Sequence, residues 1–155
     1  MPPRVTDLMP EHLPALRELF LLTRRASFTW SDTSRFALED FDEQVRDERI
    51  QVALDAGNAI GFVAWWPPDH FIHHLYVHPA HQGRGVGGAL LRSALEQMGR
   101  PASLKCLTLN TRALAFYAAR GWRIASAGGE GDEAGPYYLM ILDAQDETAQ
   151  QPQAP

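Results

Sequence analysis

Residues 82–88 read Gln-Gly-Arg-Gly-Val-Gly-Gly, with four glycines in the six positions 83–88. Glycine lets the backbone approach an anion closely, and a helix that starts just after it aims unpaired N–H groups at the same point. Arg84 adds a positive charge. The chemistry written here is phosphate binding. Gly83, Gly85 and Gly88 satisfy G-x-G-x-x-G, so a dinucleotide-binding module is one reading of the glycines taken alone. Its context fails: His78-Pro-Ala-His-Gln separates the loop from the preceding apolar run, and roughly 20 positions on, where an acid is required, stand Lys105, Thr108 and Asn110. The P-loop pattern fails as well, because no Gly-Lys-Ser/Thr follows.

Five of the six histidines fall between residues 70 and 81: His70, His73, His74, His78 and His81. Their spacing matches no zinc signature and no His-Glu-x-x-His is present, so no metal is expected. A histidine with an ordinary pKa near 6.5 is a suitable base at neutral pH. In an unbulged strand Phe71, His73, Leu75 and Val77 share one face and His74 turns to the other. Cys106 lies in an apolar stretch and reads as core.

The elements that must hold these groups follow from periodicity. Leu13, Leu16, Leu19, Phe20 and Leu22 predict a helix from about Pro10 to Arg25, with Pro10 and Pro14 tolerable only near its first turn. Phe36, Leu38, Phe41 and Val45 predict a second helix over residues 35–45. Three strands come next: Gln51 to Asp55, Ala59 to Trp66 and Phe71 to Val77. The turn Asp55-Ala-Gly-Asn joins the first two, and the three form an antiparallel meander. After the glycines, Val86, Leu90, Leu91, Ala94, Leu95 and Met98 line the buried side of a helix that Gly99-Arg-Pro ends. A strand from Ser103 to Leu109 precedes a helix that Asn110 or Thr111 caps and Gly121 stops. Strands starting at Trp122 and spanning Tyr137 to Leu142 complete a mixed α/β (α+β) domain without strict strand–helix alternation.

The 155 residues suit one domain over residues 1–143, with a polar tail over 144–155 that reads as disordered. Hydrophobic residues make up 45% and charged residues 21% of the chain, ordinary for a globular protein that needs no staple. A single cysteine excludes an intrachain disulfide and fits a reducing cytosol. No signal peptide or membrane span is legible, which makes a cytoplasmic protein the expectation. The net charge of −5 argues against nucleic acid as the main partner.

The glycine loop and its flanks resemble the GNAT superfamily of N-acetyltransferases. The family pattern Gln/Arg-x-x-Gly-x-Gly/Ala is met by Gln82, Gly85 and Gly87, with Leu75-Tyr-Val-His-Pro before it and Ala89-Leu-Leu after it. Asn110, Ala113, Phe116-Tyr117 and Gly121-Trp122 resemble a second family segment, and the likeness covers residues 59–142. It implies a largely antiparallel sheet flanked by helices and splayed at an acyl-CoA site. It also implies direct acetyl transfer from acetyl-CoA, the cosubstrate, to a primary amine within a ternary complex, with no covalent intermediate. The resemblance leaves three carriers of the amine open: a small molecule, a peptide or a protein. A noncatalytic acyl-CoA sensor of the same fold is the alternative. Homodimers are frequent in the family.

The resemblance assigns roles. Leu75, Tyr76 and Val77 would pair with the pantetheine arm and polarise the thioester. Gln82, Gly83, Arg84, Gly85, Val86, Gly87 and Gly88 would hold the pyrophosphate, and Asn110 would contact the cofactor. Tyr117 would protonate the leaving thiolate. At pH 7 the neutral form of a lysine-like amine costs roughly 4–5 kcal/mol to generate, so a base is useful. His73 matches a strand histidine used in one branch of the family, and His74 serves if the strand bulges. The place where other members carry a glutamate holds Lys105. The first two helices usually wall the acceptor site, and there lie Phe28, Trp30, Asp32 and Phe36. Trp65, Trp66 and Asp69 precede the histidines. Trp30, Trp66 and Asp69 are the candidate contacts for a cationic amine, since aromatic faces and carboxylates attract one.

Overall fold

A computed structural model describes residues 3–27, 36–130 and 135–144. Seven strands form one sheet in the order β1-β2-β3-β4-β5-β7-β6. They are β1 Arg4–Asp7, β2 Arg49–Asp55, β3 Asn58–Trp66, β4 Phe71–Val77, β5 Ala102–Leu107, β6 Arg123–Gly128 and β7 Tyr137–Leu142. Every neighbouring pair is antiparallel except β4 with β5. The expected meander is present and gains β1, which pairs with β2 from Arg4↔Leu54 to Asp7↔Gln51. The β2–β3 turn places Ala56 at φ 52° and Gly57 at φ 83°. Two positive φ angles in a two-residue hairpin loop match the right-handed twist of the strands.

Each face of the sheet carries its own core. On one, α1 (Leu13–Ser27) buries Leu16, Leu19, Phe20 and Thr23, a stripe at helical spacing, against Val52, Phe62 and Ala64. The 3-10 turn Pro10–His12 leads into it, so the prolines stand at or before its first turn. The second helix is shorter than expected: α2 spans Asp40–Gln44 and contributes Phe41, with Val45 just beyond. Its predicted start at residue 35 lies outside the described residues.

On the other face α3 (Val86–Met98) buries Val86, Leu90, Leu91, Ala94 and Met98 against Val63, Ile72 and Leu104. Leu95, expected on the buried side, is only partly covered. Gly99 ends α3 at φ 81°, its N–H donating to the Leu95 carbonyl at 3.1 Å. Asn110 caps α4 (Thr111–Ala118), accepting from Ala113 N–H at 3.1 Å. Gly121 at φ 92° lets Trp122 N–H reach back to the Tyr117 carbonyl at 3.2 Å, which closes the helix. Among the described residues no helix is long and apolar enough to cross a membrane.

Gly61 sets how closely α3 lies on the sheet. A Cβ there would stand 2.9 Å from the Tyr76 carbonyl oxygen and 3.1 Å from Leu90 Cδ1. Replacing Gly61 by alanine should lower stability in urea unfolding by about 1–3 kcal/mol, because a strand or the helix must move. Unchanged stability would show that α3 is not seated by this contact.

Candidate functional site

The site begins where pairing ends. β4 and β5 are registered only at Phe71↔Ser103 and Ile72↔Leu104, and beyond these the strands diverge. His78 N–H donates to the Ile60 carbonyl at 2.8 Å, which sets the phase of the β3–β4 ladder. By the alternation of an antiparallel pair, Tyr76 then directs its backbone groups to β3, while Leu75 and Val77 direct theirs to the open edge. The Val77 carbonyl accepts from Gln82 Nε2 at 3.2 Å. Arg112 of α4 donates to Gln82 Oε1 at 3.0 Å, so one glutamine braces strand, loop and helix.

The divergence opens a cleft of about 510 Å³. Leu75, Tyr76, Val77 and His73 of β4 form one wall. Lys105, Cys106 and Leu107 of β5, with Asn110, Ala113, Phe116 and Tyr117, form the other. Gln82, Gly83, Gly85, Val86, Gly87 and Gly88 close one end, while Thr23 of α1 reaches in beside Tyr76. Of the expected cofactor residues only Arg84 stands outside this lining; it is exposed and donates to His81 Nδ1 at 3.2 Å. Gly83 and Gly85 have φ of 79° and 84°, and an added Cβ at either meets nothing within 4 Å. The first four N–H groups of α3 have no partner within the helix and point toward this loop. These features fit a diphosphate. The 3-10 turn Pro79–His81 separates β4 from the glycines, unlike the tight strand-to-helix turn of a dinucleotide fold.

Tyr117 is 9% exposed and packs edge-on against Phe116 and Trp122 at 5.2 and 5.7 Å. Burial raises its pKa well above the ordinary phenol value, and Cys106 and Tyr76 push it the same way. Burial likewise moves the Cys106 thiol up to about 11. Both groups hold their protons at neutral pH. Lys105 rests its ammonium on the Tyr137 ring, 4.7 Å from the centroid.

The two strand histidines part company, and of the two strand geometries left open by the sequence the bulged one is present. The β3–β4 register shifts between Ala64 and Trp65, so Ala64 pairs with His74 while Trp65 pairs with Ile72, leaving His73 as the extra residue. Leu75 and Val77 therefore pack with Ile72 on the α3 face and do not share a face with His73. His74 sits among Phe20, Phe62 and Tyr76, with its Nδ1 buried and unpartnered. Burial lowers its pKa to about 4, helped by the neighbouring His73 and by Arg24, and a Gln44 backbone contact opposes this. A neutral, packed imidazole outside the cleft lining is poorly placed as a base. His73, with a side chain 46% exposed, lines the cleft and bonds through Nδ1 to the Glu48 carboxylate. Among the described residues no group of His, Cys, Asp and Glu is arranged to hold a metal ion.

Trp66 and Asp69 lie at the β3–β4 connection and stand apart from the cleft lining. Phe28, Trp30 and Asp32 lie outside the described residues. Thr23, Arg112, Arg120 and Glu48 are additions that sequence reasoning missed. Arg120 and Arg112 recur at helical spacing after Asn110, a signal available in the sequence. Glu48 sits in a run of mixed charges that reads as solvated surface.

Residues 13–122 match the acetyltransferase (GNAT) family. The chain belongs to that family. An N-acetyltransferase of Archaeoglobus fulgidus, itself uncharacterised, is 35% identical over 97 residues, a match taking in 54% of this chain and 66% of that relative, just under two thirds of its length. The uncharacterised N-acetyltransferase YjcF of Bacillus subtilis is 28% identical over 111 residues, covering 69% of this chain and 79% of YjcF. The same fold is seen in PaiA N-acetyltransferase of Thermoplasma acidophilum in complex with coenzyme A. That structure has a TM-score of 0.77 at 16% identity, covering 92% of this chain and 99% of that one. It is seen also in apo YjaB of Escherichia coli, with a TM-score of 0.74 at 17% identity, covering 94% of this chain and all of that one.

Two measurements check this geometry. A valine at Gly85 forces a β-branched residue to positive φ and sends its side chain into open space at the loop. Coenzyme A affinity by calorimetry should fall about tenfold or more, about 1.4 kcal/mol, while the protein still melts cooperatively. Unchanged affinity would remove the loop from the binding site. The His74 pKa is lower folded than unfolded, so the stability it contributes is full above about 6.5 and is lost as pH falls from there to about 4. The loss should reach at most about 3 kcal/mol. A phenylalanine at position 74 should flatten that part of the pH–stability curve; an unaltered curve would show that His74 does not cause it.

Proposed function

We propose that this family member is an acetyl-CoA-dependent N-acetyltransferase that moves the acetyl group directly to a primary amine in a ternary complex. One observation carries the reading: a glycine loop at a helix N-terminus, an open β-strand edge and a proton-bearing tyrosine converge on one cleft. The N–H groups at the start of α3 and the loop amides would hold the pyrophosphate. The pantetheine arm would add along β4 as a strand does, bonding the free backbone groups of Leu75 and Val77. A backbone N–H from that edge would meet the thioester carbonyl oxygen as it gains charge.

In the transfer the neutral amine attacks the carbonyl carbon, the C–N bond forms and the C–S bond breaks. The ammonium first gives one proton to the base to become that neutral amine; after the attack the nitrogen gives up a second and keeps one N–H in the amide, and the sulfur gains one. Tyr117, which stays protonated across the working pH range, donates its O–H to the sulfur as charge builds there. Cys106 remains a thiol and lies under the same cleft, which supports direct transfer without an acyl-cysteine. His73 is the base within reach of the cleft at the α1 end.

Thiol release from acetyl-CoA across a panel of primary amines tests the reading. Turnover with at least one amine is expected. Coenzyme A binding with no release for any amine would make the chain a noncatalytic acyl-CoA binder. A phenylalanine at Tyr117 should lower kcat about 100-fold and leave the KM for acetyl-CoA within about twofold. Full activity in that variant would remove Tyr117 as the acid.

A further inference from the structure

The turn between α2 and β2 carries a carboxylate that nothing in the glycine-loop cleft requires. Asp47 stands at φ 65° and Glu48 N–H donates to the Val45 carbonyl at 3.0 Å, which pins the turn under the sheet. The Glu48 side chain is 4% exposed. One oxygen, Oε2, bonds His73 Nδ1; the other, Oε1, is buried with no partner among the described residues. An ionised carboxylate out of water is costly unless a cation or strong donor faces it. Burial raises the Glu48 pKa above the usual carboxylate value, and the hydrogen bond and charge of His73 offset only part of that rise. Among the described residues the acid is therefore held in place with His73 as its counterpart.

His73 reaches the cleft because it is the extra residue of the β4 bulge. The bulge turns it, together with His74, toward the α1–α2 side, and its ring lies 4.6 Å from that of Phe71. A carboxylate on Nδ1 fixes the proton there, so Nε2 carries the lone pair.

We propose that Glu48 is a positioning residue for the acetyl transfer: its buried carboxylate locks the His73 tautomer and offsets the charge of the imidazolium that forms when His73 takes a proton from the acceptor amine. This rests on the acetyl-transfer reading and names the base assembly of the same site. In the step, an N–H bond of the ammonium breaks and an Nε2–H bond forms. The freed lone pair attacks the thioester, and half-exposed His73 later passes the proton to water. Among the described residues, the other titratable groups about the pair or lining the same cleft are His74 and Tyr76 on β4, Arg24 of α1, Lys105, Cys106 and Tyr117 across the cleft, and His81, Arg112 and Arg120 at its loop end. Arg24 is bonded to Asp40 at 3.2 Å, and Lys105 lies on Tyr137. Tyr76 and Tyr117 are raised phenols and His74 is neutral, so none of these replaces the carboxylate on Nδ1.

The test is a Glu48→Gln variant, near-isosteric and uncharged, beside His73→Gln and the double variant, on the full chain. With an amine that the wild type acetylates, His73→Gln should lower kcat about 100-fold and Glu48→Gln about tenfold, with the KM for acetyl-CoA unchanged. The acidic limb of the Glu48→Gln pH–rate profile should move to lower pH, because the imidazolium loses its counter-charge. The double variant should be no slower than His73→Gln alone. Long-range 15N–1H NMR supplies a readout independent of turnover: the Nδ1–H form of His73 should dominate in wild type and give way in Glu48→Gln. Additive losses, a superimposable pH profile, or a tautomer unchanged by Glu48→Gln would each overturn the proposal. Should Glu48→Gln fail to fold, the wild-type tautomer and the profile of surface-reaching His73→Gln still decide it: a mixed tautomer, or an intact acidic limb, overturns it. Wild-type turnover separates the two readings, since active protein with an indifferent Glu48 sinks only this one. A wild type that acetylates no amine sinks both.

Discussion

Strands β4 and β5 run parallel and meet through only two registered pairs, Phe71 with Ser103 and Ile72 with Leu104. A strand cannot leave its backbone groups unpaired and buried, so the edge beyond Ile72 must face water or a ligand. That requirement places the cleft, and the rest of the site is arranged around it. The glycine loop comes at the end of β4, and α4 leaves from the end of β5. Because the strands diverge, the two helices bring their functional ends to opposite sides of a gap that an extended chain could fill. Gln82 keeps the gap at a set width by bonding Val77 on one side and Arg112 on the other.

Electrostatically the two ends of the cleft differ. The loop end offers backbone N–H groups and the arginines Arg112 and Arg120, and suits anions. The α1 end offers His73 backed by a buried carboxylate, and suits the loss of a proton. Between them lie Tyr117 and Cys106, whose protons burial holds in place. The acetyl transfer proposed above would use this order: negative charge neutralised at one end, a nucleophile unmasked at the other, and a donor beside the sulfur in the middle.

Much of this was legible in the chain, and the missing parts share a cause. The glycine loop, α3 and the cap at Asn110 are written in neighbouring residues, so local pattern suffices. β1 was overlooked because Arg-Val-Thr-Asp shows no apolar face, and its place depends on pairing with β2. The second helix was drawn too long from Phe36, Leu38, Phe41 and Val45; only Phe41 and Val45 join the core. The bulge at His73 depends on how β3 and β4 register, which no property of either strand alone displays. It took Leu75 and Val77 off the face of His73 and brought His73 to the same side of the sheet as His74. Glu48 is the clearest case: in Asp47-Glu48-Arg49 it is one charge among several, and only the turn at Asp47 reveals that it points inward.

The two cores on opposite faces of the sheet have a consequence for how this scaffold can diverge. The residues at the glycine-loop end of the cleft rest on the α3 cluster, while those that line the α1 end rest on the aromatic cluster of Phe20, Phe41 and Phe62. A single sheet separates them, so side chains in one can be exchanged without repacking the other. A protein engineer can therefore remodel the α1 side and leave the α3 side intact by confining a library to residues above Phe20 and Phe62.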